Sequence, residues 1–262
     1  MDITQLKTRP HWSYSAFSTF LTCPMKYYFR YIAEAEEEFT PVCLPFGRAF
    51  HAVLSEKAMK GDSFSLADAQ ENFALFFRGE CDASSILVYK GEENFDTSLK
   101  KGFAMLEVAM ESWQDDYGVK SVAESFSVEV PGLEKPVIGE FDLVVTDGGD
   151  TAICDWKTSA SKWPAGKADR DLQATVFCYA FQKIYGELPL FRFDVYTKSK
   201  QPTLSSYYTV RTEEDLERFE FLAFQIQNAV AKGAFFQNVN SLSCPECPYR
   251  MQCRKEHKKG RS

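Results

Sequence analysis

Four of the eight cysteines are divided between the two ends of the chain. Cys23 stands alone near the beginning, whereas Cys244, Cys247 and Cys253 form a C-x2-C-x5-C group close to the end. Thiolates at such spacing can bind a single metal centre. If Cys23 supplies a fourth ligand, the metal ties the two ends together. That tie would constrain how everything between them folds.

The identity of such a metal centre is left open by the spacing. An iron–sulfur cluster and a structural zinc ion both accept four cysteines. For zinc, His257 is a substitute ligand, because only three residues separate it from Cys253. The remaining cysteines have no comparable spacing and are expected to be packing or surface residues: Cys43, Cys81, Cys154 and Cys178.

The composition predicts one soluble domain. With 262 residues, 45% of them hydrophobic, the chain can bury a substantial core. No apolar signal segment opens it, so we expect reduced cysteines and a cytoplasmic location. No run approaches the roughly 18 apolar residues that a membrane span needs. The net charge of -7 argues against a uniformly basic coat, but it neither supports nor excludes a local groove for DNA.

The first half of the chain predicts helices. An aromatic-rich run over residues 13–32 is expected to form two short helices, because Pro24 disfavours helical geometry at Cys23. Apolar residues at helical spacing predict two more, at about Ser65–Gly79 and Asp96–Tyr117. We interpret this second pair as a helical insertion within a single domain.

After Gly118 the apolar period changes to two, which is typical of strands. The sequence Asp-Gly-Gly-Asp at 147–150 predicts a hairpin turn. The predicted elements are strands at about 122–130, Val137–Thr146, Ala152–Thr158, Phe191–Thr197 and Leu204–Val210, with helices at Asp169–Tyr185 and after Thr212.

Two of these strands carry a candidate acidic site. Asp155 and Lys157 are two apart, so their side chains project from one face of their strand, and Asp142 lies on the strand expected to pair with it. Carboxylates so placed can hold Mg²⁺ or Mn²⁺. A buried Asp–Lys ion pair is the alternative interpretation. Because burying charges costs several kcal/mol unless they are compensated, a functional cluster is favoured.

His51 is a further candidate metal ligand, on a predicted helix that follows Gly47. Taken alone, a histidine among the apolar residues Phe50, Val53 and Leu54 is more often packed in the core.

These motifs resemble those of the RecB-like branch of the PD-(D/E)XK nuclease superfamily. Gly47–His51 resembles the GxxxH element, Gly139–Val144 the GxxDxV strand, and Asp155–Lys157 the DxK strand. The helix DLQATVFCYAF, with Gln173, resembles the family's glutamine helix. The cysteine pattern is similar to that of the iron–sulfur members, the AddB nuclease domain and the CRISPR adaptation nucleases.

The resemblance implies an α/β fold with a restriction-endonuclease-like core. A central mixed sheet would be flanked by helices, with an N-terminal helical region, an insertion at about 60–118 and a cluster-binding tail at 244–262. One nuclease domain would then span residues 1–262.

Residue roles are also implied by the resemblance. His51, Asp142 and Asp155 would bind Mg²⁺ or Mn²⁺, Lys157 would stabilise the transition state, and Gln173 would belong to the catalytic set. The four cysteines would hold a [4Fe-4S] cluster, with Zn²⁺ as the alternative. Glu124 would support the metal ligands, or would simply be a solvated residue at a strand end. The family's Q-x3-Y pattern is broken, because Phe177 replaces the tyrosine and Tyr179 falls two residues later.

The implied function is a metal-dependent deoxyribonuclease. The first expectation is an exonuclease acting on single-stranded DNA or duplex ends in recombination, repair or CRISPR adaptation, with a helicase or another subunit as a partner. The alternative is a DNA-binding scaffold subunit without turnover. A third hypothesis is a zinc-stapled protein with no role on nucleic acid.

Two segments are candidates for contacts with DNA. Basic residues in the tail could meet phosphates, or could belong to a solvated terminus: Arg250, Arg254, Lys255, Lys258, Lys259 and Arg261. Aromatic residues near the start could stack on bases, although their helical spacing favours core packing: Tyr14, Phe17, Phe20, Tyr27, Tyr28 and Tyr31.

Overall fold

The computed structural model describes residues 2–84, 86–113 and 118–259, with the side chains of 257–259 excluded. His257, Lys258, Lys259 and Arg261 therefore lie outside the described side chains. Within the described ranges the strands are β1 (Trp12–Ser13), β2 (Thr40–Pro41), β3 (Leu87–Val88), β4 (Gly118–Val128), β5 (Val137–Asp147), β6 (Asp150–Ser159), β7 (Leu190–Thr197) and β8 (Leu204–Thr209).

The α-helices lie before, between and after these strands. They are α1 (Ile3–Lys7), α2 (Tyr14–Thr22), α3 (Pro24–Tyr27), α4 (Cys43–Lys60), α5 (Leu66–Asp82), α6 (Phe95–Glu111), α7 (Leu172–Tyr185), α8 (Glu213–Ala231) and α9 (Arg250–Lys259). Short 3-10 turns precede α7 and α9, and a π-helical turn at Tyr28–Ile32 extends α3. Among the described helices, none combines the length and apolarity that a bilayer crossing requires.

A mixed sheet of six of the described strands forms the centre of the fold. The pairs β4–β5, β5–β6 and β7–β8 are antiparallel, whereas β6–β7 and the short β1–β5 pair are parallel. Strands β2 and β3 form a separate parallel pair. Gly148 and Gly149 both adopt positive φ, at 60° and 97°, in the turn between β5 and β6. The predicted hairpin is therefore confirmed, since this turn requires residues that tolerate a left-handed backbone.

One edge of β5 is only partly paired. Its first residues, Val137 and Ile138, pair with β1, and its last, Leu143–Asp147, pair with β6. On this edge the residues from Gly139 to Asp142 have no strand partner among those described. β6 separates from β5 beyond Cys154 and continues beside β7. The sheet thus opens between β5 and β6, and we call this opening the β5–β6 gap.

Helices cover both faces of the sheet, so the predicted α/β architecture is confirmed. On one face α2, α3, α7 and α8 pack over a core that includes Phe17, Phe141, Phe177, Phe193 and Phe219. On the other face α4, α5 and α6 pack over a second core that includes Phe50, Phe73, Leu106, Val145 and Trp156. The region predicted as an insertion therefore supplies α5 and α6 to this face, whereas α4 precedes it in the chain.

The element bounds follow local sequence rules with a few differences. Pro24 begins α3 and Cys23 is extended, at φ -164°, as the proline predicted. Capping boxes begin α5 at Ser65 and α8 at Thr212. Helix α6 ends at Glu111, earlier than the predicted Tyr117, which lies outside the described residues. Helix α7 begins at Leu172, because a 3-10 turn occupies the three residues from Ala168 to Arg170.

Candidate active site

Asp142 lies at the β5–β6 gap and replaces a missing backbone partner there. Its Oδ2 accepts a hydrogen bond of 2.9 Å from the backbone N–H of Trp156. Because the strands have separated at this point, that amide would otherwise lack an acceptor on β5. The carboxylate therefore replaces a strand partner for the amide of Trp156, which lies two residues beyond Cys154, the last residue of β6 that pairs with β5.

Asp155 and Lys157 project from the α7 face of β6. Their neighbours Cys154 and Trp156 belong to the core on the opposite face, which confirms the predicted alternation. Nζ of Lys157 lies 2.5 Å from Oδ2 of Asp155. The other oxygen, Oδ1, accepts a 2.5 Å hydrogen bond from Nε2 of Gln173 on α7.

Gln173 is placed by the start of its helix. Asp171 caps α7, and its Oδ1 accepts the backbone N–H of Gln173 at 3.0 Å. The Gln173 side chain, 7% exposed, then reaches Asp155, which is 2% exposed. The Asp171 cap thus fixes the first turn of α7. Gln173, in this turn, then bonds Oδ1 of Asp155.

His51 approaches the gap from α4. Its Nδ1 lies 3.2 Å from Oδ2 of Asp142, and its ring meets that of Trp156 edge-on with the centroids 6.0 Å apart. Its neighbours on α4, Phe50, Val53 and Leu54, are buried in the second core. His51 itself faces the carboxylate, so the core interpretation applies to its neighbours and not to its imidazole.

Burial and mutual charge set the pKa values of this group. Burial acts to lower the pKa of His51 and to raise that of Asp142, but their contact outweighs it and shifts both the other way. Burial raises the pKa of Asp155 to about 6, with a contribution from the charge of Asp142 and opposition from Lys157. The pKa of Lys157 is raised, because the two carboxylates outweigh its burial. The charges of these four groups therefore influence one another's pKa values across the gap.

The donor set suits a hard divalent cation bound by few protein ligands. Oδ2 of Asp155 is buried, and no donor in the described chain meets it at hydrogen-bonding angles. Among the described residues, no three His, Cys, Asp or Glu side chains are gathered tightly enough to enclose a metal ion on their own. Mg²⁺ usually takes one or two carboxylates and completes its shell with water and phosphate oxygens, so Asp142 and Asp155 fit it.

The structure adds residues that sequence reasoning missed. A cleft of about 390 Å³ beside the gap is lined in part by Arg48, His51, Ala123, Glu140 and Asp142. Glu140 is half-buried, and its burial raises its pKa. Ala123 has a left-handed φ of 48° within β4, a strained conformation for alanine. Glu140 could have been found, because it is two residues before Asp142 on the same strand.

Glu124 and the aromatic residues of α7 bond or pack against other partners. The carboxylate of Glu124 accepts hydrogen bonds from Ser121 and from Tyr185 at the end of α7. The Tyr179 hydroxyl donates to Glu220 of α8 at 2.9 Å. Phe177, at the position where the family pattern has tyrosine, is buried in the core. Supporting the metal ligands remains a prediction for Glu124.

The four cysteines of the predicted metal centre lie around one cavity, but among the described residues no three of them are gathered tightly enough to enclose a metal ion. A cavity of about 670 Å³ is lined by all of them, Cys23, Cys244, Cys247 and Cys253. Burial and the neighbouring thiols raise the pKa values of Cys247 and Cys253. All eight cysteines are free, and the unassigned Cys81, Cys154 and Cys178 are buried while Cys43 is exposed.

The two candidate DNA-contacting segments differ in outcome. Phe17, Phe20 and Tyr27 are buried in the core, as their helical spacing favoured. In the tail, Arg250, Arg254 and Lys255 line the cysteine cavity with Lys26, so these described basic residues surround the thiols.

The family follows from comparison with known sequences. The sequence model of the PD-(D/E)XK nuclease superfamily matches residues 11–254. The chain belongs to the PD-(D/E)XK nuclease superfamily. Nucleases of this superfamily use divalent metals and act on DNA, and the match covers the whole of the sheet and its flanking helices. The comparison with curated proteins finds no significant match.

Two solved structures align with this PD-(D/E)XK chain. A protein from Eubacterium rectale with the provisional name exonuclease aligns at a TM-score of 0.61 and 15% identity, covering 97% of this chain and 90% of its own. At this identity the likeness shows the fold alone. A protein named SSO0001 aligns at a TM-score of 0.38 and 12% identity, covering 88% of this chain and 91% of its own.

Proposed function

We propose that this PD-(D/E)XK protein is a divalent-metal-dependent exonuclease that hydrolyses single-stranded DNA or duplex ends. The observation that carries the proposal is the convergence of two carboxylates and one ammonium at the β5–β6 gap. Asp142 reaches the gap from β5, whereas Asp155 and Lys157 reach it from β6, and each charge shifts the pKa values of the others.

Asp142 and Asp155 are the proposed metal ligands. A bound Mg²⁺ or Mn²⁺ would polarise the scissile phosphate and lower the pKa of a water molecule. Gln173 would hold Oδ1 of Asp155, which leaves the buried Oδ2 for the metal and for Lys157. His51 would first orient the carboxylate of Asp142 through its Nδ1 contact. To serve as a ligand itself, His51 would have to lose its proton.

Lys157 is the proposed transition-state residue. Its Nζ lies beside Oδ2 of Asp155, so a phosphate that approached the metal would meet the ammonium at the same place. Because the raised pKa keeps Lys157 charged at neutral pH, it would stabilise the negative charge that grows on the phosphate oxygens. Pairing with Asp155 would hold the side chain in position before substrate arrives.

The preference for chain ends rests on the family resemblance and on the provisional name of the aligned structure. An experiment with end-labelled DNA tests it. We expect Mn²⁺ to support stepwise shortening of a labelled single strand, with release of mononucleotides or short products. Internal cuts in a circular single strand would instead indicate an endonuclease.

The site itself is tested by Asp155→Ala and Lys157→Ala. Both variants should lose cleavage while still unfolding in a single cooperative transition in metal-free buffer. Retained turnover in both would refute the proposed site. A wild-type protein that retains the labelled strand without shortening it would favour the DNA-binding scaffold.

A [4Fe-4S] cluster bound by the four cysteines is the second part of the proposal. Its support is that Cys23 and the three tail cysteines line one cavity although they come from opposite ends of the chain. Basic side chains around that cavity suit a cluster whose thiolate ligands carry negative charge. Protein purified without oxygen should be brown with broad visible absorption, whereas a zinc site would be colourless. Cys253→Ser should lose the colour, and Cys43→Ser should keep it.

Location and partners are proposed from the same considerations. Eight free cysteines are consistent with a reducing compartment such as the cytoplasm. We infer a role in recombination, repair or CRISPR adaptation, with a helicase or another subunit as the partner. Co-purification of a tagged chain from its own cells would test this inference.

A further inference from the structure

The loop that follows β6 is fixed to the sheet beside Lys157. Trp163, in this loop, donates its backbone N–H to the hydroxyl of Tyr207 at 3.0 Å, and that hydroxyl donates to the Trp163 carbonyl at 3.2 Å. The Trp163 ring packs on Phe193, with 4.9 Å between the centroids. Both the backbone and the side chain of Trp163 are therefore held by β7 and β8.

Lys167, four residues later, lies over the ring of Trp163. Its Nζ is 3.8 Å from the ring centroid, and the side chain is half-buried. Gly166, with φ 67°, provides the left-handed turn that brings the chain back over the indole. Within the described ranges, no carboxylate oxygen lies within ion-pairing distance of Lys167. Its ammonium is thus positioned by an aromatic face and is not neutralised.

Lys167 and Lys157 each lie over one ring of the tilted Trp163–Phe193 pair. Nζ of Lys157 lies 5.9 Å from the centroid of Phe193, the ring on which Trp163 packs. Burial lowers the pKa of Lys167; Asp171 acts to raise it, and Lys157 to lower it. The two ammonium groups therefore repel each other, and an anion between or beside them would relieve that repulsion.

We propose that Lys167 binds a second backbone phosphate of the DNA strand, next to the phosphate that Lys157 contacts. The inference rests on the proposed function, because it deepens the description of that same site. An ammonium is a compact point charge that suits a phosphate oxygen. A single strand with its scissile phosphate at Lys157 carries another phosphate one nucleotide away, and Lys167 is the fixed cation on that side.

The first experiment measures binding without cleavage. A short fluorescent oligothymidylate is titrated with protein in Ca²⁺ at several salt concentrations. We expect Lys167→Gln to weaken binding about fivefold and to reduce the slope of log Kd against log salt by about 0.7, the value for one phosphate contact on a single strand. Lys167→Arg should restore both quantities.

Lys162 provides the matched control, since it is an exposed lysine in the same loop. Lys162→Gln removes the same charge from the protein and should leave the affinity and the slope close to wild type. Equal behaviour of the two glutamine variants would overturn the proposal, because it would mean that Lys167 acts only through net charge. An unchanged melting temperature for Lys167→Gln separates a lost contact from a lost fold.

A second experiment locates the phosphate. Neutral methylphosphonate linkages are introduced one position at a time into the oligothymidylate. One linkage adjacent to the scissile position should weaken binding to the wild type, and the same linkage should have little further effect on Lys167→Gln. If every linkage weakens both proteins equally, Lys167 contacts no particular phosphate and the proposal is wrong.

The two proposals can fail separately. If the charge and linkage effects are found but Mn²⁺ produces no shortening, the phosphate site stands and the exonuclease does not. If the strand is shortened while Lys167→Gln binds like the wild type, the exonuclease stands and the phosphate site does not. A wild-type protein that binds neither the single strand nor duplex ends overturns both.

Discussion

Nε2 of Gln173 donates a 2.5 Å hydrogen bond to Oδ1 of Asp155, and this bond joins helix α7 to strand β6 at the proposed metal site. Both side chains are buried, so water does not easily replace either partner. Residues that orient a metal ligand from behind typically contribute 10- to 100-fold to metal affinity or activity. The contact therefore gives a direct test of whether Asp155 must be held in one orientation.

We expect Gln173→Leu to lower the rate of DNA cleavage about 10- to 100-fold with the fold retained, because Oδ1 of Asp155 would lose its donor. Cleavage at saturating DNA over a range of Mn²⁺ concentrations is the measurement. Gln182→Leu, on the same helix, is the matched control, since Gln182 bonds Glu213 on α8 and not Asp155. Equal activity of the two variants would show that the Asp155 contact has no role in turnover.

Asp155→Asn should abolish cleavage and yet stabilise the metal-free protein above pH 6. A carboxyl with a raised pKa costs stability as pH rises from its unfolded value, 3.8, to its folded value, about 6. Asparagine cannot ionise, so it removes this cost, and the variant should gain roughly 1–3 kcal/mol at pH 8. Chemical denaturation in the presence of a chelator measures the difference.

The gain for Asp155→Asn should fade at low pH, where the wild-type carboxyl is protonated in both states. At about pH 2.5, well below the unfolded pKa of 3.8, the two proteins should unfold at the same denaturant concentration. Added Mn²⁺ should stabilise the wild type more than the variant, because the variant keeps only Asp142 of the two proposed carboxylate ligands. A variant that is less stable than the wild type at pH 8 would mean that the pair with Lys157 outweighs the burial of Asp155.

His51→Gln should cost the metal-free protein more stability at pH 6 than at pH 9. The raised pKa of His51 means that its contribution is complete below the unfolded pKa of 6.5 and is lost as pH rises through the folded value. The lowered pKa of Asp142 sets the other limit, because the pair is lost as pH falls through that value. Stability measured against pH for both proteins should therefore converge at the alkaline end, and a constant difference would exclude the ion pair as the cause.

Gly139→Ala should destabilise the sheet next to the β5–β6 gap. A Cβ at this position would lie 2.4 Å from the ring of Phe126, its partner across β4 and β5. That ring stacks on Phe141 at 4.6 Å and cannot retreat without disturbing the core. Overpacking of this kind costs typically 1–3 kcal/mol, to be measured by denaturation.

Gly79→Ala is the opposite case and the control for Gly139→Ala. Gly79 is an exposed residue of α5, and nothing comes within 4 Å of an added Cβ. Alanine there should raise stability by up to about 1 kcal/mol, because it favours the helix. If both substitutions had the same effect, a clash with the Phe126 ring would not be the reason why alanine is disfavoured at position 139.

The strands and the acidic site were within reach of the sequence because they depend on short-range pattern. Period-two alternation identified β5 and β6, and a two-residue spacing put Asp155 and Lys157 on one face. The β5–β6 gap was not predictable, since it arises where β1 takes over the edge of β5 from β6. A two-residue strand such as Trp12–Ser13 carries no periodicity to detect.

Lys167 and Glu140 illustrate two further limits. Lys167 is one of two lysines in the loop after β6, and its position over Trp163 depends on contacts with β7 and β8 that no local pattern encodes. Glu140 had a signal, the two-residue spacing from Asp142, but alternation alone does not tell an exposed acid from one that lines a cleft. The end of α6 was misjudged because apolar spacing continues beyond Glu111.

The hydrogen bond from the Trp156 amide gives Asp142 an architectural task beside its proposed chemical one. Truncation to alanine would orphan a main-chain donor, whereas asparagine can still accept from it through its amide oxygen. Inactivity of the truncated protein would therefore be ambiguous evidence about chemistry. A shorter or apolar residue at position 142 would therefore remove two things at once: the acceptor for the Trp156 amide and the carboxylate charge.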